Sequence, residues 1–228
     1  MLRAIIFDCD GVLVDSEPLH LSAFQKILSE EGITLTQEEY FQKYLAMDDK
    51  TCFETVFKAH GRTHDKRILK DLILRKMEGY RQLYAQGLIL YPGVVEFVRK
   101  AQGSYRLAIA SGAFRGEVKA ALDVAGLRSA FPVIVSAQDV RNGKPHPESF
   151  LLALHQINER SPMPSPPILP EECLVIEDSV HGVEAAHAAG MRCLAVTNSY
   201  PKEKLAHADL VVASLEEIEP KELETLFV

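Results

Sequence analysis

The sequence predicts an α/β fold, a doubly wound parallel sheet interrupted by an all-helical insert. Short β-branched runs recur along the chain and are apolar throughout rather than alternating, as in parallel strands buried on both faces. Segments with apolar residues at i, i+3, i+4 and i+7 follow these runs. One stretch, from residue 16 to residue 88, breaks the alternation and carries helical patterns alone.

The first strand is Ala4-Ile5-Ile6-Phe7. The insert follows at once. Leu19, Ala23, Phe24, Ile27 and Leu28 form one helical stripe, with Pro18 in the first turn and Gly32 after the end. Further helical patterns cover 37–45, 50–59 and 65–86. Tyr91-Pro92-Gly93 marks the return to the sheet. Val94, Phe97, Val98 and Ala101 then predict a helix, and Leu107–Ala110 a strand. Val118, Ala121, Leu122 and Ala125 predict a second helix with Gly126 as its cap. Strands at 133–135, 173–176, 193–196 and 210–212 complete the sheet, with helices around Phe150–Leu154 and Val180–Ala186 between them. The expected organisation is a core of residues 1–15 and 89–228 and a helical cap of residues 16–88. An insert after the first strand is expected over the carboxyl edge of the sheet, where open α/β sheets bind ligands, and so to act as a lid.

Composition sets limits on function. The 228 residues include 25 Lys plus Arg and 32 Asp plus Glu, a formal charge of −7, and 47% are hydrophobic. Enough apolar residues are present for a core, and an acidic chain is a poor match for a nucleic-acid polymer. No apolar run approaches the roughly 20 residues of a membrane helix, and the N-terminus reaches carboxylates too early for a signal peptide. Cys9, Cys52, Cys173 and Cys193 form no CxxC pair and are expected as reduced core residues of a cytoplasmic protein. No nucleic-acid or membrane partner is expected, and the chain is expected as a monomer or weak dimer.

Chemistry-bearing residues fall after successive strands, on one edge of a parallel sheet. Asp8-Cys9-Asp10-Gly11 follows the first, Ser111-Gly112 the second, Gly143-Lys144-Pro145 the third with its loop, and Glu177-Asp178-Ser179 the fourth. A single Asp at a strand end, taken alone, is better read as a helix cap. Several acids gathered with a lysine are better explained by a divalent cation, since crowded carboxylates repel one another and Mg²⁺ favours carboxylate and phosphate oxygens. With such a cation, an aspartate can attack phosphorus, Lys144 and the Ser111 hydroxyl can hold phosphoryl oxygens, and Asp10 can protonate the leaving alcohol. Gly11 allows the tight turn that this needs.

Phe7-Asp8-Cys9-Asp10-Gly11-Val12-Leu13-Val14-Asp15-Ser16 resembles the first signature of the haloacid dehalogenase-like superfamily. Ala110-Ser111-Gly112 resembles the second, Lys144-Pro145 the third, and Glu177-Asp178-Ser179 with Gly182 the fourth. An insert after the first signature resembles the helical-cap branch, which includes β-phosphoglucomutase and phosphoglycolate phosphatase. The resemblance implies a Rossmann-like core with Asp8 as nucleophile and Asp10 as general acid and base. It implies Mg²⁺ held by Asp8, the Asp10 backbone carbonyl and Asp178, with Glu177 close by or ligating. It implies that Ser111, Gly112 and Lys144 bind the phosphoryl group, Gly112 through an N–H at a helix start. Dehalogenase members lack the acid that Asp10 supplies, so phosphoryl transfer from a small phosphorylated metabolite is expected, and the acidic cap loop at 46–50 favours a phosphatase over a mutase. His20 and Lys76 match positions that are functional in the mutase pattern. A partly exposed histidine and a solvated helix face are the plainer readings of the two. The loop Ala46-Met47-Asp48-Asp49-Lys50 carries acid where that mutase has an arginine for a second phosphate. A sugar-phosphate mutase and a receiver-like phospho-acceptor module remain as alternatives.

Overall fold

The computed structural model describes residues 1–45, 47 and 49–227. Of the acidic loop, Ala46 and Asp48 lie outside the described residues. The chain forms two compact units, Met1–Asp15 with Ile89–Val228, and Ser16–Leu88.

The first unit is built on strands β1 (Ala4–Phe7), β4 (Arg106–Ala110), β5 (Val133–Val135), β6 (Cys173–Glu177), β7 (Arg192–Val196) and β8 (Leu210–Val212), all parallel in the order β5-β4-β1-β6-β7-β8. Helices α5 (Val94–Ala101), α6 (Arg115–Val124), α7 (Glu148–Glu159) and α8 (Val180–Ala188) and the short α9 (Lys202–Leu205) connect them. Alternate residues of each strand serve opposite faces. On one face Ala4, Ile6, Ala108, Val135 and Val175 pack with Phe150, Ala153 and Ile157 of α7 and Val183 and Ala186 of α8. On the other, the Phe7 ring meets Phe97 of α5 edge-on at 6.1 Å and Phe131 at 5.3 Å. Both faces are covered, which is why the runs read as apolar throughout. Each fully buried side chain of this size contributes about 1.5–3 kcal/mol.

The chain enters the sheet at β1 and adds β4 and β5 on one side and β6 to β8 on the other. The switch of direction falls at the carboxyl end of β1. There the crossovers diverge and leave a crevice, the usual ligand position in this architecture. A feature the apolar pattern did not reveal is a small antiparallel pair, β2 (Val14–Asp15) with β3 (Ile89–Leu90). Two-residue strands are too short to show a period.

The second unit contains α1 (Glu17–Glu30), α2 (Gln37–Lys43), α3 (Asp49–Ala59) and α4 (Lys66–Gln86). Asp65 caps α4 by accepting from the Arg67 and Ile68 N–H groups at 2.8 Å, and Thr36 caps α2 in the same way. The core holds Phe24, Ile27, Leu28, Tyr40, Phe53, Val56 and Leu72. The buried stripe of α1 runs through Leu21 rather than Leu19, which is only half-buried. Among the described residues no helix is long and apolar enough to cross a membrane, and all four cysteines are free and buried.

Candidate active site

Register brings the site together. Phe7 lies beside Ile109 of β4 and Ile176 of β6, so the residues that follow, Asp8, Ser111, Glu177 and Asp178, emerge from three adjacent strands. Parallel neighbours are about 4.8 Å apart, within side-chain reach. Asp8, Ser111, Glu177 and Asp178 are all buried.

Lys144 arrives on the loop after β5. That loop is tied down at both ends. Asp139 accepts from the Ser136 N–H and hydroxyl and from Arg115, while Glu148 accepts from the Arg141 and Asn142 backbone N–H groups. The Lys144 ammonium donates to Asp8 Oδ1 and to Glu177 Oε1, each at 2.5 Å, and lies 4.9 Å from the Phe150 ring centre. Glu177 Oε2 accepts from the Asp178 and Ser179 N–H groups and the Ser179 hydroxyl. Ser179 in turn caps α8 by accepting from Gly182 N–H at 3.0 Å. A Cβ on Gly182 would stand 1.8 Å from the Glu177 carboxyl carbon, so only glycine fits there. Gly11 has φ +77°, and a Cβ on it would lie 1.9 Å from Asp178 Oδ2. The glycine therefore serves both the turn and the close approach of Asp178.

Charge is unevenly compensated. Burial, which the Glu177 and Asp10 carboxylates reinforce and Lys144 opposes, raises Asp8 to about 7. Burial and the charges of Glu177 and Asp8 push Asp178 well above the usual carboxylate range. Glu177 is equally buried, yet Lys144 and the donors on Oε2 hold it below its ordinary value. Lys144 is pulled down by burial but held above its usual value by Asp8 and Glu177.

Asp10 is half-buried one turn residue from Gly11, and its charge acts on Asp8. Gly112 differs from expectation. It is exposed in the turn before α6, which begins only at Arg115, with the Glu117 carboxylate accepting from Phe114 N–H at 2.8 Å. The Ser111 Oγ accepts from Ala113 N–H at 3.1 Å within that turn. His146 is exposed, and its Nδ1 accepts from Glu148 N–H at 3.3 Å, a turn role.

His20 and Lys76 lie in the helical unit and meet each other. Lys76 is 1% exposed, not on a solvated face. Its ammonium contacts His20 Nδ1 at 2.7 Å and donates to Asp49 Oδ1 at 2.5 Å, with the Phe24 ring centre 4.5 Å away. Burial, reinforced by Lys76, lowers His20 to about 3, so it is neutral and can accept. Lys50, which begins beside this cluster in sequence, is exposed.

Among the described residues, no group of three or more His, Cys, Asp or Glu side chains is arranged to hold a metal ion. Of the acids expected at or near a cation, Glu177 has both oxygens engaged, Oε1 by Lys144 and Oε2 by Ser179 and backbone N–H groups. The remaining donors still suit Mg²⁺, which is commonly bound by one or two carboxylates with waters and substrate phosphate oxygens. Asp8 and Asp178, both raised toward protonation by burial first and by neighbouring carboxylates second, are the two side chains whose charge such a cation would offset.

Residues that sequence reading passed over are Asn198 and Ser199, after β7. Asn198 Nδ2 donates to the Gly11 carbonyl at 2.7 Å, and the Ser199 hydroxyl donates to Asp178 Oδ2. Neither is acidic or cationic, and no pattern marks them.

A family profile described as haloacid dehalogenase-like hydrolase matches residues 2–190. The chain is 32% identical over 193 residues to the phosphorylated carbohydrates phosphatase of Thermotoga maritima, covering 83% of this chain and 82% of that protein. It superposes on the phosphate complex of CbbY from Rhodobacter sphaeroides with a TM-score of 0.78 at 28% identity, covering 95% of this chain and 96% of the other. It also superposes on a β-phosphoglucomutase from Clostridium difficile with a TM-score of 0.80, covering 100% and 97%. At 22% identity that likeness speaks to the fold alone.

Proposed function

We propose that this enzyme, which belongs to the haloacid dehalogenase-like hydrolase family, is a Mg²⁺-dependent phosphatase that hydrolyses a small sugar-phosphate monoester through a phosphorylated Asp8. The observation that carries this reading is the Lys144 ammonium held 2.5 Å from both Asp8 and Glu177, beside Asp178, at the ends of adjacent strands.

Asp8 attacks phosphorus in line, the ester P–O bond breaks, and Asp10 gives its proton to the departing alcohol. Asp10 then takes a proton from the water that attacks the acyl phosphate, which frees inorganic phosphate and restores Asp8. Lys144 and the Ser111 hydroxyl hold phosphoryl oxygens, with the Gly112 N–H alongside them. Asp8, Asp178 and the Asp10 backbone carbonyl would hold Mg²⁺, which would supply charge neutralisation for nucleophile and phosphoryl group. Burial of Asp8 keeps its carboxylate poorly solvated and therefore reactive.

Sugar phosphates are favoured as substrates by the name of the Thermotoga relative. Release of phosphate is favoured over its retention by the helical unit's own charge pairing. A mutase clamps the second phosphate of a bisphosphate with a cation, and here Asp49 already compensates Lys76. The helical unit is proposed as the cap that sets substrate choice.

The test is a phosphate-release panel of sugar phosphates, phosphoglycolate and nucleoside monophosphates, with and without Mg²⁺, alongside an isomerisation assay on β-glucose 1-phosphate. Mg²⁺-dependent release, fastest with a sugar phosphate, is expected. Isomer formation without release, or a stable phosphoprotein without turnover, contradicts it.

A further inference from the structure

The loop after β7 grips the acidic cluster from the side opposite Lys144 in the strand order. β7 pairs with β6 in parallel, with Ala195 beside Glu177, so the residues that follow the two strands run side by side. Thr197 is tied to the neighbouring strand through its N–H, which donates to the Val212 carbonyl at 3.1 Å. The loop is thereby anchored before it reaches the site. Asn198 Nδ2 then donates to the Gly11 carbonyl at 2.7 Å, and the Ser199 hydroxyl donates to Asp178 Oδ2. Asp178 is packed against Gly11 so closely that no Cβ fits between them. One loop therefore holds both members of that contact, the turn that follows Asp10 through its carbonyl and the carboxylate through its oxygen.

We propose that Ser199 is a positioning residue for the cation site, fixing the rotation of the Asp178 carboxylate so that its other oxygen is presented to the metal, and that Asn198 fixes the Asp10–Gly11 turn against it. A carboxylate free to rotate loses entropy on ligation and presents the wrong oxygen part of the time. A donor on one oxygen removes that freedom before the metal arrives. The proposal rests on the cation site of the function proposed above.

The test is metal affinity measured apart from turnover. Mn²⁺ is titrated by electron paramagnetic resonance into the protein and into Ser199→Ala and Ser199→Thr, with no substrate present, and Mg²⁺ activation of phosphate release is followed in parallel. Loss of such a supporting donor typically costs 10–100-fold in metal affinity or activity. Ser199→Ala is expected to weaken Mn²⁺ binding about 10-fold and to shift the Mg²⁺ activation curve equally, and Ser199→Thr, which keeps the hydroxyl, to restore both. Weaker Mn²⁺ binding in Ser199→Ala supports the proposal even if the parent protein releases no phosphate, in which case the phosphatase reading alone fails. Unchanged Mn²⁺ affinity in a folded Ser199→Ala protein overturns the proposal while leaving the phosphatase reading in place. Asn198→Ala is a second variant. Unchanged Mn²⁺ affinity there as well removes the loop from the metal site altogether.

Discussion

In the α/β unit, Lys144 meets two carboxylates at 2.5 Å, with a third, Asp178, buried beside them. In the helical unit, Lys76 meets one carboxylate, Asp49, at 2.5 Å, a neutral His20 at 2.7 Å, and the faces of Phe24 and Tyr80. Both clusters bury an ammonium, but only the second balances its charge. The first keeps an acid surplus, three carboxylates to one ammonium, and burial together with that surplus raises Asp8 and Asp178. A buried surplus is costly unless something offsets it, so the contrast separates a cluster shaped for chemistry from one that closes on itself. An unbalanced cluster should tolerate loss of an acid in stability and fail in activity. A balanced one should do the reverse.

The sharpest break in that contrast is Asp8→Asn. It relieves repulsion inside the cluster, so folding should be retained or slightly improved by thermal melting. Phosphate release should fall by about 10⁴-fold or more, as when a nucleophile is lost. Comparable loss of stability and activity would mean that Asp8 is structural.

Asp49→Ala should act in the opposite sense. It strands the Lys76 ammonium among Phe24, Tyr80 and His20, and breaking a buried pair costs about 3 kcal/mol. Asp49 is partly exposed, which reduces this figure. Adding Lys76→Met removes the stranded charge and should recover most of the loss. Chemical denaturation of the single and double variants measures both. A melting point unchanged in Asp49→Ala would place this pair in substrate handling instead.

The two clusters were not equally legible. The strands could be read because burial on both faces leaves continuous apolar runs; Asp8, Ser111 and Asp178 stood out as candidates because each comes at the end of such a run, and Lys144 because it lies in the loop beyond one. Sequence order could not reveal that Glu177 spends one oxygen on Ser179 and backbone donors. Lys76 read as equally fit for a solvated face, because a charged residue on a helix gives no sign that a partner 27 positions away has drawn it inside. Gly112 was expected at a helix start, but Glu117 caps the helix from Phe114 onward and leaves the glycine in the preceding turn. Ser199 and Asn198 had no chemical label. Only the pairing of β7 with β6 brings them to Asp178 and Gly11.

A smaller effect should follow pH. The folded-state value of His20, about 3, lies below its ordinary 6.5, so protons favour the unfolded chain. The resulting stability is complete above pH 6.5 and is lost progressively as pH falls toward 3. Urea midpoints at pH 7 and pH 4.5 should therefore converge in His20→Asn relative to the parent. An unchanged pH slope would show that His20 is not held neutral.

The central claim is that Asp8 carries the phosphoryl group and Asp10 moves the protons. Asp10→Asn tests both most directly. A phosphate ester with a good leaving group needs no acid to phosphorylate Asp8, whereas the water that removes the phosphoryl group needs a base. With p-nitrophenyl phosphate and Mg²⁺, acid quenching and peptide mass spectrometry of this variant should find phosphate accumulated on the peptide containing Asp8. A phosphate-free Asp8 during continuing turnover, or phosphate on another residue, would contradict the account.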